Sequence, residues 1–374
     1  MRARDLGIRI GLGTPGPLNA ITDVAGVTVG HTTLIRGDGP LVVGEGPVRT
    51  GVTVVCPRGR ARGEPVFAGA HRLNGNGELT GLEWVRESGM LTTPIAITNT
   101  HSVGVVRDAL VAASIDGDDA SWSLPVVGET FDGLLNDING FHVRAEHLHA
   151  ALAAAAGGAV EEGTIGGGTG MVCHEFKGGI GTASRVIDEA AGGFTVGVLV
   201  QANYGKRNWL RIDGVRVGEA IPTSEVPSPY DQVARPRSAP PPAPGSGSII
   251  VVVATDAPLL PHQCERLAQR AGLGIARVGG TGGHTSGDLF IAFATGNRLP
   301  STFHDEHPSG LGAYDVRAVG DIVIDRLFDA TIEATEEAIV NALVAATTVV
   351  GRDGNTAHAL PHDRLREVMT ANGR

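Results

Sequence analysis

A proline-rich segment that leads directly into an apolar run constrains this chain more than any other feature. Residues 222–247 contain eight of the 21 prolines in the 374-residue sequence. Proline lacks a backbone N–H donor and fixes φ, so the segment is neither a helix nor a central strand, and we expect it to be extended and exposed. Residues 248–254 then read Ser-Ile-Ile-Val-Val-Val-Ala, which is typical of a strand buried on both faces.

The segment fits either a boundary between two domains or an excursion within one layered domain. Only residues 248–374 follow it, and their first strand needs apolar neighbours on both faces. One helix is predicted after Asp256, which would cap it, with Pro258 in its first turn and its end near Gly272. The other predicted elements are strands at 27–35, 51–56, 95–99, 194–201 and 288–294 and helices at 103–113, 143–156, 184–191 and 331–346. This mixed order predicts a layered α/β or α+β fold.

Charge and composition exclude several classes of protein. The 30 basic and 40 acidic side chains give a net charge of −10, whereas nucleic-acid and anionic-membrane binders need a basic face. No run approaches the roughly 18 apolar residues of a membrane-spanning helix, and the N-terminal stretch lacks the apolar core of a secretory signal. The three cysteines are far apart and odd in number, so we expect free thiols and a cytoplasmic location.

Patterns for cofactor and metal binding are also missing from the sequence. The glycines between Gly11 and Gly16 are interrupted by Pro15 and precede no helix, and there is no phosphate-binding loop. The 13 histidines form no HExxH pattern or other zinc-site spacing. We therefore expect neither a cofactor nor a metal.

The Gly247-Ser248 pair matches what a self-cleaving hydrolase with an N-terminal nucleophile requires. The Ser248 hydroxyl would attack the preceding carbonyl, and hydrolysis of the resulting ester would release a new amino terminus. Glycine at 247 tolerates the backbone strain of that attack. The freed α-amine has an ordinary pKa of about 7.7–8.0, which suits a general base. The same pair also fits an ordinary linker.

Three other polar groups are candidates for a site, although each also fits an ordinary turn. The glycine-rich loop 278–288 ends in Ser286 and Asp288, a hydroxyl and a carboxylate that together suit a proton relay. Residues 129–137 group carboxylates, Glu129 first among them, that suit a substrate ammonium. Asn203 follows a strand, where its amide suits an oxyanion.

Taken in order along the chain, these segments resemble the L-aminopeptidase/D-esterase family, which includes the β-peptidyl aminopeptidases. The resemblance covers nearly the whole sequence. It rests on LNAITDVAGVTVGH at 18–31, NGNGELTG at 74–81, ITNTHSVG at 97–104, PVVGE at 125–129, GTGM at 168–171, KGGIGTAS at 177–184, VQANYG at 200–205 and GSIIVV at 247–252.

The resemblance implies one αββα sandwich made as a precursor. This four-layer α/β fold is like that of N-terminal-nucleophile hydrolases but is differently connected. Cleavage between Gly247 and Ser248 would give residues 1–247, ending in the proline-rich tail, and residues 248–374. The two pieces would stay together, and the family commonly assembles as a tetramer of such heterodimers.

The resemblance also assigns a nucleophile and a relay. Ser248 matches the nucleophile, and Ser286 matches a second serine that hydrogen-bonds to it. Asp288 stands where some members have glutamate, so we expect the shorter carboxylate to leave its contact in the relay loose.

Three positions match groups that hold the substrate. Asn203 matches the oxyanion-hole amide, and Glu129 matches the carboxylate that binds the free amino group. Phe131 is a departure, because some members have a tyrosine there whose hydroxyl contributes to the oxyanion hole. We therefore expect that donor to be absent or replaced.

The reading that follows is an aminopeptidase or amidase that releases N-terminal residues from short peptides, amides or esters. Two alternatives remain open at this point. One is an acyltransferase of the self-cleaving ornithine acetyltransferase type, although threonine is the usual nucleophile there. The other is a non-catalytic protein that binds small molecules with the same fold.

Overall fold

The structure is a computed structural model that describes residues 1–60, 64–115, 122–231, 245, 247–300 and 313–374. Its strands are β1 (Thr28–Arg36), β2 (Val48–Arg60), β3 (Val66–Gly75), β4 (Met90–Leu91), β5 (Ile95–Asn99), β6 (Val126–Thr130), β7 (Val172–Cys173), β8 (Phe176–Lys177), β9 (Gly179–Val186), β10 (Thr195–Asn203), β11 (Ser248–Thr255), β12 (Gly287–Ala294), β13 (Val349–Val350) and β14 (Thr356–Ala357). Its α-helices are α1 (Leu82–Ser88), α2 (Val103–Ser114), α3 (Ala145–Ala154), α4 (Val217–Ala220), α5 (Pro261–Val278), α6 (Asp321–Ala345) and α7 (His362–Ala371).

Two large sheets form the centre of the fold. One has the strand order β1-β2-β5-β6, and the other has the order β4-β3-β12-β11-β10-β9. In the second sheet β11 runs parallel to β12 and antiparallel to β10. The two strands that follow the proline-rich segment, β11 and β12, therefore lie in one sheet between strands that precede it. A boundary between two separate domains would not produce this arrangement.

The sheets stack face to face between two layers of helices. Helices α5 and α6 pack on the outer face of the six-stranded sheet, and α2 and α3 pack on the four-stranded one. Along β11, Ile249, Val251 and Val253 belong to the core under α5 and α6, whereas Ile250 and Val252 belong to the core between the sheets. The predicted αββα sandwich is confirmed, as is the prediction that this strand is buried on both faces.

Two predicted helices are wrong in position or in type. Residues 184–191 contain the end of β9 and a short 3₁₀ turn at Glu189–Ala191. Strand formation wins because β9 pairs with β10 and because Gly181 lets α6 approach, where a Cβ would lie 1.9 Å from the Ala338 carbonyl oxygen. The helix expected after Asp256 begins only at Pro261 and ends at Val278. Asp256 Oδ1 instead accepts the Thr195 N–H at 2.7 Å, which joins two strand ends.

The start of the proline-rich segment is packed against the protein, contrary to the expectation of an exposed chain. Val226, Ser228 and Pro229 are buried. Arg207 is buried beneath them and donates hydrogen bonds to the carbonyl oxygens of Ile221 and Val226. Residues 232–244 and 246, which hold most of the prolines, lie outside the described residues.

Candidate active site

The ends of four strands bring the predicted site residues to one corner of the sandwich. Because β11 and β12 are parallel, their first residues lie at the same edge of the sheet, and antiparallel β10 ends there. Asn203 is the direct partner of Ser248 in this register. A polar tie holds the other sheet in place, since Gln201 Nε2 donates to the Thr98 carbonyl oxygen and to Thr130 Oγ1. The end of β6 therefore faces the end of β10.

Ser248 is buried, with 5% of its surface exposed, and a backbone amide fixes its hydroxyl. Its Oγ accepts the Gly287 N–H at 3.0 Å. Residue 287 must be glycine, because a Cβ there would lie 2.4 Å from the Asn76 carbonyl oxygen. The close approach of the glycine-rich loop thus directs an N–H group at the candidate nucleophile.

Ser286 and Asp288 flank that amide and are bonded to each other. Ser286 Oγ donates to Asp288 Oδ1 at 2.6 Å, so the expectation of a loose contact for the shorter carboxylate is wrong. The pairing of β12 with β3 shifts register between Asp288 and Leu289. Burial raises the pKa of Asp288 to about 6, opposed by hydrogen bonds from Ser286 and from the Ile249 backbone.

The Ser286 hydroxyl has one proton, and that proton is given to Asp288. Its lone pairs remain able to accept a proton from a neighbour. Ser286 therefore does not donate to Ser248, whose oxygen accepts the Gly287 N–H. Ser286 could accept a hydrogen bond but has no further proton to donate.

Two hydrogen bonds determine the orientation of the Asn203 amide. Its Oδ1 accepts the Val172 N–H at 2.7 Å, and its Nδ2 donates to the Phe131 carbonyl oxygen at 2.9 Å. If the amide were rotated by 180°, its nitrogen would face the Val172 N–H and its oxygen would face the Phe131 carbonyl oxygen, and neither pair can form a hydrogen bond. Because an amide nitrogen carries two protons, the second N–H of Asn203 remains for an oxyanion.

Phe131 contributes its backbone rather than its side chain to these contacts. The ring is 40% exposed, and the carbonyl oxygen is held by Asn203. A phenyl ring has no donor, so the second oxyanion donor that a tyrosine would supply is missing at this position.

Glu129 is buried at the end of β6, with 2% of its surface exposed, and holds two donors. Its Oε1 accepts the Glu78 N–H at 3.0 Å, and its Oε2 accepts the Thr100 hydroxyl. Burial raises the pKa of Glu129, opposed by these hydrogen bonds and by the charge of His101. Within the described residues no lysine or arginine forms an ion pair with this carboxylate. A buried carboxylate in this state favours a cation from outside.

Gly77 connects the Glu129 carboxylate to the nucleophile. A Cβ at Gly77 would lie 2.9 Å from Glu129 Oε1 and 3.2 Å from the Cα of Gly287. The carboxylate and the Ser248 hydroxyl thus lie on either side of one short stretch of backbone. Glu129 and Ser248 are therefore linked through the backbone of Gly77 and Gly287.

The bond before Ser248 is held against β10. A Cβ at Gly247 would lie 1.9 Å from the Asn203 carbonyl oxygen, so only glycine fits there. Ser248, the candidate nucleophile, follows Gly247 directly in the sequence.

The structure shows hydrogen-bond donors at the site to which no role was assigned from the sequence. It also places some of the predicted candidates away from the site. Three of these donors are the backbone amides of Gly287 and Glu78 and the hydroxyl of Thr100. They lie in segments that were named from the sequence, but no local sequence pattern marks them as donors. The other carboxylates of 129–137 do not join Glu129. Asp137 instead accepts hydrogen bonds from Gly44 and His142.

The described part of the chain holds neither a metal-binding cluster nor a membrane-spanning helix. No group of three or more His, Cys, Asp or Glu side chains is placed to hold a metal ion. No helix in the same part is long and apolar enough to cross a membrane.

Comparison with known proteins assigns this chain to a family. The model of peptidase family S58 matches residues 19–357, most of the chain. This chain belongs to peptidase family S58. The resemblance found in the sequence is thereby confirmed.

Several relatives match nearly end to end. The β-peptidyl aminopeptidase BapA of Sphingosinicella microcystinivorans is 50% identical over 369 residues, covering 98% of this chain and 91% of its own. A Burkholderia β-aminopeptidase structure is 56% identical with a TM-score of 0.88, covering 100% of this chain and 99% of that one. An L-aminopeptidase D-Ala-esterase/amidase structure from Ochrobactrum anthropi is 45% identical with a TM-score of 0.89 and the same coverage.

The Ochrobactrum structure is described as a prototype for the serine aminopeptidases and as a new variant among the Ntn hydrolase fold. Its likeness to the S58 chain confirms the predicted class, a sandwich like that of N-terminal-nucleophile hydrolases with its own variation. An acyltransferase and a non-catalytic binding protein, the two alternatives from the sequence, are not favoured.

Proposed function

We propose that this S58 chain is a precursor that cleaves itself between Gly247 and Ser248 and then acts as a serine aminopeptidase on short peptides, amides or esters. The observation that carries the proposal is the position of Ser248. It begins a central strand, its hydroxyl is held by the Gly287 amide, and Asn203 is its direct partner in the sheet.

Self-cleavage uses the same oxygen that later attacks the substrate. Ser248 Oγ attacks the Gly247 carbonyl carbon, the C–N bond breaks, and the acyl group moves from nitrogen to oxygen. Water then hydrolyses this ester, which leaves a carboxylate on Gly247 and a free α-amine on Ser248. The pieces 1–247 and 248–374 stay together because the first two strands of the second piece lie between strands of the first piece in one sheet.

Turnover then proceeds through an acyl-enzyme. The substrate ammonium pairs with Glu129, and Ser248 Oγ attacks the adjacent carbonyl while its α-amine or Ser286 accepts the proton. The free N–H of Asn203 stabilises the oxyanion, the amine product leaves, and water hydrolyses the ester. The requirement for an ammonium beside a buried carboxylate makes the enzyme an exopeptidase.

The substrate class is inferred from the relatives. Two relatives are named β-peptidyl aminopeptidases, so we include peptides with N-terminal β-amino residues among the substrates. Matched p-nitroanilides of β-alanine and L-alanine test this directly. Hydrolysis of only the L-alanine compound would remove the β-amino class from the proposal.

Gly247→Ala is expected to slow self-cleavage severely. The new methyl group would overlap the Asn203 carbonyl oxygen, which lies 1.9 Å from its position, so the scissile bond must shift. A time course on a denaturing gel measures the loss of intact chain. Gly157→Ala is the matched control, since a Cβ there meets nothing within 4 Å. Equal cleavage rates for the two variants would contradict the placement of this bond.

The pH profile is expected to show an acid limb near pH 6. Asp288 must be ionised to take the Ser286 proton, and burial raises its pKa from 3.8 to about 6, so kcat/KM rises with pH through that value. Stability changes in the opposite sense: the folded state holds the proton more tightly, so this group lowers stability as pH rises from 3.8 to about 6.

Rates measured from pH 4.5 to 8 test this limb, and Asp288→Asn should abolish it together with most of the activity. Asp363→Asn, which removes an exposed carboxylate on α7, should leave the limb unchanged. An unchanged limb in Asp288→Asn would assign it to another group.

Assembly and location belong to the same proposal. The tetramer of heterodimers and the cytoplasmic location stay predictions from the sequence. Native mass measurement of the purified protein tests the first, with eight chains in four pairs expected.

A further inference from the structure

A pair of stacked rings lies directly beside the Glu129 carboxylate. His101 follows Thr100, the residue whose hydroxyl bonds Glu129 Oε2. The His101 ring stacks on Phe141 with a centroid distance of 6.0 Å and an interplanar angle of 21°. His101 is exposed, so the pair lies on the solvent side of the buried carboxylate.

Phe141 is presented to solvent in a way that a packing residue would not be. Its ring is 54% exposed, and its backbone has φ +51°, which is unusual for a bulky side chain. Such outliers persist where the surrounding structure enforces them and are concentrated at functional sites. The exposed ring therefore needs an explanation other than the core.

The loop beneath Phe141 is locked by buried hydrogen bonds. His142 Nε2 donates to Asp137 Oδ2 at 2.8 Å, and Arg36 donates to His142 Nδ1 at 2.8 Å. Gly140 lies against both partners, since a Cβ there would be 2.2 Å from Asp137 Oδ2. These hydrogen bonds join Asp137 and His142, which lie on either side of Phe141 in the chain, and they hold its ring in a fixed outward position. A rigid, outward-facing aromatic group is what recognition of an apolar ligand requires.

The position of the pair identifies the part of the substrate that it meets. Glu129 Oε1 lies against Gly77, whereas Oε2 accepts the hydroxyl of Thr100, whose neighbour in the chain is His101 of the ring pair. The first side chain of the substrate is attached to the carbon that carries the ammonium, so an ammonium on Glu129 places that side chain beside the carboxylate and next to the ring pair. The exposed Phe131 ring lies two residues after Glu129 and faces solvent as well.

We propose that His101 and Phe141 form the wall that recognises the side chain of the substrate's N-terminal residue and selects apolar, above all aromatic, side chains. The inference rests on the proposed role of Glu129 as the ammonium site. It adds a specificity determinant that acts on the side chain and leaves the reacting bond untouched.

The test compares matched substrates on the self-cleaved enzyme. The p-nitroanilides of β-homophenylalanine and β-alanine, and of L-phenylalanine and L-alanine, give two ratios of kcat/KM, aromatic over small. In Phe141→Ala we expect the ratio to fall about tenfold or more while the small substrate changes by less than about twofold. Phe141→Leu should keep part of the preference. His101→Ala should lose part of it, and His101→Phe, which keeps a stacked ring, should retain it.

Tyr314→Ala is the matched control, because this exposed aromatic is three residues before Arg317, whose N–H bonds Asn297 beyond the opposite end of β12. Its ratio should equal that of the wild type. Thermal unfolding of each variant shows that the fold is intact. An unchanged ratio in folded Phe141→Ala, or a wild-type preference for the small substrates, overturns the inference alone. A wild-type enzyme that hydrolyses none of the four overturns the proposed function and the inference with it.

Discussion

A Ser248→Ala chain is expected to remain a single polypeptide of 374 residues and to lose at least about 10⁴-fold in kcat. Alanine has no oxygen to attack the Gly247 carbonyl carbon, so neither the acyl shift nor the acyl-enzyme can form. The Gly287 N–H loses its acceptor, but the buried side chain is small and the fold should persist. A denaturing gel and an assay with an amino-acid p-nitroanilide measure both effects on one preparation.

Ser248→Cys and Ser114→Ala complete this experiment. Cysteine keeps a nucleophile at the same place and should still split, although more slowly. Ser114 ends α2, where its hydroxyl donates to the Val111 carbonyl oxygen of the same helix, so its loss should change neither cleavage nor turnover. Cleavage at the same bond in Ser248→Ala would show that another group performs the attack.

A Glu129→Gln enzyme is expected to cleave itself normally and to lose about 10²–10³-fold in kcat/KM for substrates with a free amine. Self-cleavage involves no ammonium, whereas the substrate ammonium would lose the opposite charge of a desolvated pair, typically 2–5 kcal/mol. The glutamine retains the hydrogen bonds from Glu78 and Thr100 through its carbonyl oxygen only in part. Separate assays of processing and turnover distinguish these effects.

Glu78→Gln is the matched control for the loss of one negative charge. Glu78 reaches Glu129 through its backbone N–H, and its own side chain is exposed. This variant should stay within about threefold of the wild type. An N-acetylated substrate should be a poor substrate for every variant. Full activity of Glu129→Gln on free amines would remove Glu129 from the ammonium site.

The parts of the fold that local sequence determines were predictable. The β-branched run after Ser248 predicted a doubly buried strand because both faces of β11 require apolar side chains. The same run argued against two domains, because such a strand needs partners from the earlier part of the chain. Ser286 and Asp288, two residues apart, are bonded as the proton-relay reading of this pair requires.

Features that depend on distant contacts were not predictable in this way. Residues 184–186 form a strand because β9 pairs with β10 and because α6, which is remote in sequence, packs closely on Gly181. The donor to Glu129 Oε1 comes from residue 78, 51 positions away, and is a backbone group that any residue would supply. The Gly287 amide is likewise a backbone group that any residue would supply, and its hydrogen bond to Ser248 depends on the pairing of distant strands.

One measurement tests the central claim that Ser248 is both the product of cleavage and the nucleophile. The wild-type protein is treated with an amino-acid ester, quenched in acid, and its chains are weighed and sequenced. The account predicts two chains, with the shorter one beginning Ser-Ile-Ile-Val and carrying the acyl group on residue 248. An active enzyme with one uncut chain, or an acyl group on any other residue, would contradict it.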